Sequence, residues 1–212
     1  MDKVCLYKQP IQKIRFGRFN LRLNPSFRNV LWCFDVLSDE IINDADKIDL
    51  CLSVLLRYPP VRHLIPRNQQ AKLLQNIFES LINVNGDNQK KPSKKSMDFH
   101  QDAGYIIAAF RQCYGLDLVG KDRDLHWWIF YALLGALSDD TRLMQIISIR
   151  TRPIPKPTKY NAEERASIIR LKQEYALKLT EEERKAQFQE GLQKIAITLQ
   201  RMAKSRWLNG RW

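Results

Sequence analysis

The chain has 212 residues, 44% hydrophobic and 27% charged, with a net charge of +12 and a pI near 9.7. This length and balance imply one or two folded domains with a sizeable core and exclude a wholly disordered chain. The positive charge favours acidic partners, whether nucleic acid, a membrane surface or an acidic protein face, without choosing among them.

The opening "MDKVCLYKQP" is too polar for a signal peptide. Residues 11–23, "IQKIRFGRFNLRL", alternate roughly apolar and basic about a glycine, which predicts a hairpin turning at Gly17-Arg18. Asn24, Pro25 and Ser26 punctuate the chain, and Ser26 can cap a first helix, "FRNVLWCFDVL". Its Phe27, Val30, Leu31, Phe34 and Leu37 keep helical spacing. A second helix is predicted from about Asp44 to Arg57, ended by "YPP" because proline cannot continue it. A third runs from about Asn68 to Val84. Residues 85–97, "NGDNQKKPSKKSM", hold four lysines and no aliphatic residue before Met97, and predict a flexible loop.

A fourth helix, "DAGYIIAAFRQCYG", ends at Gly115 as a C-terminal glycine would. The fifth is predicted to start near Asp122 or Asp124, where acidic residues suit the positive end of the helix dipole, and to include His126. Asp139 and Asp140 are predicted to cap a sixth, "DTRLMQIISIR". Residues 151–160, "TRPIPKPTKY", carry three prolines and predict a semi-rigid linker. Charge-rich helix then follows over 161–206, split by a capping box, Thr180 with Glu183. The expected fold is mainly α, a helical bundle with a short N-terminal β-hairpin and a C-terminal helical extension. Its expected parts are a hairpin over 1–25, a helical core over 26–150 with the loop 85–97, the linker 151–160, and a charged extension over 161–212.

The sequence shows no motif that carries a known chemistry. Cys5, Cys33, Cys51 and Cys113 are scattered, which argues against a disulfide framework or a zinc site, and three of them sit among apolar neighbours as core thiols of a reducing compartment would. His63, His100 and His126 have no ligand spacing. No glycine-rich phosphate loop, HExxH or GxSxG is present. The expectation is a non-enzyme with no catalytic residues, no metal and no cofactor. The longest apolar run, Leu125 to Leu137, has 13 residues, against about 17–25 for a membrane span. A soluble, cytosolic protein without a membrane partner is expected.

The stretch "DLHWWIFYALL", residues 124–134, is apolar on every helical face, and such a helix is expected to be buried on all sides. A sharper reading leaves one aromatic face for a partner or for self-association into a homo-oligomer, through Trp127, Trp128 and Tyr131. The end of the chain, "RMAKSRWLNGRW", interleaves basic and aromatic residues. Lys204, Arg206, Trp207 and Arg211 there could dock on a protein, or stack on single-stranded nucleic acid. No recognised nucleic-acid motif accompanies them, so a protein partner is preferred.

"MDFHQDAGYIIAAFRQCYGLDL" followed by "DLHWWIFYALLGALSDDTRLMQIISIR" resembles the bacteriophage gene-product-fifteen family of long-tailed phages. The resemblance rests on Tyr114 to Leu118, the "LHWW" block Leu125 to Trp128, Ala132 to Leu134, Asp140-Thr141 and Arg150. It extends upstream to Phe27, Arg28, Leu37 and Lys47, covers about residues 8–175 and leaves out the C-terminus. It implies a gene between those of the tail tube and the tape measure of a siphophage. It therefore implies a tail assembly chaperone in the host cytoplasm that binds the tape measure protein, helps recruit tail tube protein and is absent from the mature virion. The competing expectations are a minor tail or virion component and, behind it, a nucleic-acid binder.

Overall fold

The computed structural model describes residues 10–82 and 95–178. Among them are seven α-helices, one 3₁₀ helix and a single two-stranded sheet, so the protein is mainly α. Strands β1 (Lys13–Phe16) and β2 (Phe19–Arg22) pair antiparallel, with Phe16 opposite Phe19. Gly17 supplies the φ of +57° that such a tight turn needs and a side chain would resist. A lone hairpin is marginal in water. This one is held because Leu21 and Leu23 are buried and its end is tied to the following helix pair: Asn24 N–H donates to the Leu55 carbonyl at 2.7 Å and Arg57 N–H to that of Arg22 at 2.9 Å.

Helix α1 (Phe27–Ser38) starts at the expected cap, the Ser26 hydroxyl accepting from the Asn29 N–H at 3.3 Å. Helix α2 (Asp44–Leu55) is capped by Asn43 and ends earlier than the sequence suggests, because Leu56 turns extended to bridge Leu23. "YPP" does more than stop it. Pro59–Leu64 form a 3₁₀ helix, whose first positions tolerate proline because their N–H groups have no helical partner anyway. Arg62 in that turn grips Asp49 of α2 through Nε–Oδ1 at 2.6 Å, and this hydrogen bond outweighs burial to hold the Asp49 carboxyl below its usual range. Where α1 crosses α2, Cys33 and Cys51 are fully buried, each Sγ 3.9 Å from the other's carbonyl oxygen; contact with Cys51 and burial push the Cys33 thiol up, so it stays neutral. Helix α3 is Arg67–Ile82. Most of the predicted loop 85–97 lies outside the described residues.

Helix α4 (Ala103–Tyr114) closes on Gly115 at φ +66°, as expected. Helix α5 (Trp127–Gly135) begins later than predicted. Asp122 is not in its first turn; its carboxylate accepts the Asp117 N–H at 2.8 Å and folds the preceding loop, and Asp124 points to solvent. His126 is the cap of α5, not a residue inside it: its Nδ1 accepts from the Trp128 N–H and its Nε2 meets the Ile11 carbonyl, both at 3.1 Å. A ring nitrogen thus takes the place of the carboxylates expected there. The same correction applies to α6 (Arg142–Thr151), which is capped by the Thr141 hydroxyl rather than by Asp139 or Asp140; Asp140 instead accepts from the Ser138 hydroxyl.

After the irregular prolines, α7 (Ala162–Glu174) packs back on α6 and buries Ile168. It ends at Glu174, ahead of the capping box at Thr180, which lies outside the described residues with the rest of the extension. Among the described residues no helix is long and apolar enough to cross a membrane.

Candidate docking groove

Phe130 of α5 is the centre of the core. Its ring stacks on Phe27 of α1 at 4.5 Å between centroids and on Phe110 of α4 at 5.1 Å, with Phe99 and Trp127 at 6.3 and 5.9 Å. Trp127 in turn meets Phe34 edge-on at 5.9 Å. Trp128 faces the other way, its indole N–H donating to the Leu81 carbonyl at the end of α3 at 2.9 Å. Aromatic pairs of this kind add to the area that they bury. The two tryptophans thus bolt α5 to α1 and α3 respectively. They are 4% and 8% exposed and belong to the core, so neither offers an open face to a partner. The helix is nonetheless not buried all round: Ile129 is 41% and Tyr131 54% exposed, because nothing among the described residues covers that side. The remaining sequence-derived candidates, Lys204, Arg206, Trp207 and Arg211, lie outside the described residues.

A groove of about 740 Å³ opens on the side of Phe130 that faces α1 and α4. Phe27, Phe99 and Phe130 form its floor, and Trp32, Ile107 and Val119 its walls. Its rim is charged with both signs. The Asp98 carboxylate accepts from the N–H groups of His100 and Gln101, each at 2.9 Å, and lies 2.8 Å from the Lys95 ammonium. Burial pushes this carboxyl up, but those bonds outweigh it and hold it at about 2. Across the groove, His100 Nε2 lies 2.7 Å from Asp35 Oδ1 of α1.

Behind the rim sits a buried ion pair. Arg150 of α6 meets Asp102 through two parallel contacts, Nη1–Oδ2 at 2.7 Å and Nη2–Oδ1 at 2.8 Å, and the two side chains are 11% and 1% exposed. Two further guanidinium donors reach Ser96 O and Tyr175 O, and Asp102 also accepts the Asp98 N–H at 3.0 Å. Lys172 of α7 donates to the Arg150 carbonyl at 2.6 Å. One planar fork therefore fixes the groove-lining strip 95–102 to α4, α6 and α7.

The sequence singled out Arg150 through the family resemblance but not its partner Asp102, which lies 48 positions away with no local signal. It also missed Trp32, Ile107 and Val119. Trp32 falls off the apolar stripe of α1, and a tryptophan standing outside its helix's own stripe was the available signal. Among the described residues no three or more His, Cys, Asp or Glu side chains gather as a metal site. What the geometry offers is a preformed apolar trough with a polar margin, the form of surface that receives an amphipathic helix.

The architecture is thus that of a small helical protein built on an aromatic hub, with an open groove beside it. A family model for the bacteriophage Gp15 protein matches residues 10–177, and the chain belongs to that family. Comparison with curated proteins and with solved structures gave no match.

Proposed function

We propose that this phage protein is a tail assembly chaperone: in the host cytoplasm it holds helical segments of the tape measure protein in its groove and assists tail tube protein to assemble around them. The observation that carries this reading is the open apolar groove with its mixed-charge rim. A tape measure is a long, helical client with many similar apolar faces, and a modest trough engaged repeatedly along it gains avidity without tight single contacts. Family membership supports the phage context, and the groove supports the mode of binding. The proposed role is stoichiometric and non-catalytic, and because an assembly chaperone leaves once the tube is built, the chain is expected to be missing from finished particles.

Co-expression with the tape measure protein tests the proposal. Soluble tape measure should rise, the two should co-purify, and mass spectrometry of purified virions should not find this chain. Unchanged solubility of the tape measure would remove the chaperone reading. Recovery of the chain in virions at fixed copy number would favour a minor tail component. Binding to nucleic acid would instead weaken steeply with salt, whereas a complex held by apolar burial should weaken only in part.

A further inference from the structure

We infer that the C-terminal segment 179–212 docks its apolar stripe in this protein's own groove. Gln101 clasps the backbone of Lys178 from both sides, its Nε2 donating to Lys178 O at 2.8 Å and its Oε1 accepting the Lys178 N–H at 2.7 Å. Gln101 directly follows His100, which lines the groove. The segment 179–212 therefore leaves the body of the protein at the groove's rim.

Its sequence suits the trough. Phe188, Leu192, Ile195, Leu199 and Met202 recur at intervals of four, three, four and three residues. That is the spacing with which a helix anchors one face in an apolar groove. The residues 179–187 lying before the stripe can span up to about 30 Å when extended, ample to bring Phe188 over the floor. The stretch 191–212 has five basic residues and no acid, and Asp35, half-exposed in the groove lining beside His100, offers them a carboxylate.

Other parts of the chain fit less well. Residues 83–94 re-enter at Lys95 but offer a single aliphatic side chain, Val84. Residues 1–9 lead into Ile11, which is bonded to His126 at the cap of α5 and lies outside the groove lining. The docked segment would occupy the groove that the chaperone reading gives to the client, so a client would have to displace it; docking within one chain is nonetheless tested with no client present, and its failure leaves the chaperone reading untouched.

Hydrogen exchange on the full chain tests it, comparing wild type with Leu192→Asp/Ile195→Asp. The double variant should exchange about tenfold faster over 95–107 and along α1, with α2 and the 3₁₀ turn unchanged. The reciprocal variant, Ile107→Asp, should speed exchange over 186–203. Light scattering should find wild type and variants in the same oligomeric state. Unchanged exchange at the groove in the double variant would overturn the inference. So would groove protection that rises with protein concentration, which would make the occupant a second copy.

Discussion

Asp102 and Arg150 form the contact on which the groove's geometry most depends. Removing one partner of a buried pair leaves a desolvated charge with incomplete hydrogen bonding. Asp102→Asn is therefore expected to cost about 3–5 kcal/mol in a urea melt, and a loss below about 1 kcal/mol would mean that the pair is not a structural tie. His126 makes a different, pH-dependent claim. Burial lowers its pKa below 6.5, although the Ile11 carbonyl acts in the opposite sense. The unfolded chain thus takes up this proton near pH 6.5 while the folded chain takes it up only at lower pH. In that window the unfolded state binds more protons, so stability falls as pH drops below about 6.5, until the folded pKa is passed. Protonation also turns Nδ1 from acceptor to donor and removes the α5 cap. His126→Ser keeps a capping oxygen but does not titrate, so its stability should fall less than wild type between about pH 7 and pH 5. Equal slopes in the two proteins would contradict this.

At the scale of elements, the aromatic helix shows how one side chain can differ from its neighbour. Trp128→Ala should destabilise by about 3–5 kcal/mol, through a cavity and an orphaned Leu81 carbonyl. Tyr131→Ala, three residues on and more than half exposed, should cost about 1 kcal/mol or less. Comparable losses would contradict the assignment of faces. The sequence made elements legible where local chemistry decides them: Ser26 as a cap, Gly17 at a turn and Gly115 in the left-handed conformation all act within a few residues. It was less reliable where a distant group wins. Asp122 and Asp124 read well as starts for α5, yet the first is consumed by Asp117 and His126 caps the helix because Ile11 holds its ring. The extent of α2 was misjudged for the same reason, since Leu56 is drawn out by Leu23. The all-round burial expected of α5 failed because hydrophobic periodicity gives the number of apolar faces and not the number of neighbours available to cover them. The groove was the least legible feature, being assembled from α1, the strip 95–102 and the loop at Leu118 and Val119, none of which resembles a site by itself.

At the scale of the whole molecule, the hairpin, the 3₁₀ turn and α7 all brace an arrangement whose centre is Phe130. Helix α7 contributes buried Ile168 and, with Tyr175, two backbone-directed bonds around Arg150. Truncation after residue 160 is therefore expected to lower the urea midpoint and to loosen the strip 95–102; an unchanged midpoint would show that α7 merely rests on the surface. Among the described residues this bracing leaves the apolar trough beside Phe130 open at a charged rim, the surface on which the chaperone proposal depends. The most direct test is co-expression of the tape measure protein with wild type or with Trp32→Asp/Ile107→Asp. Both side chains line the groove and are already more than a third exposed, so the variant should remain folded. The account predicts that wild type keeps the tape measure soluble and co-purifies with it, while the folded variant does neither. Equal rescue by both proteins would contradict the claim that this groove receives the client.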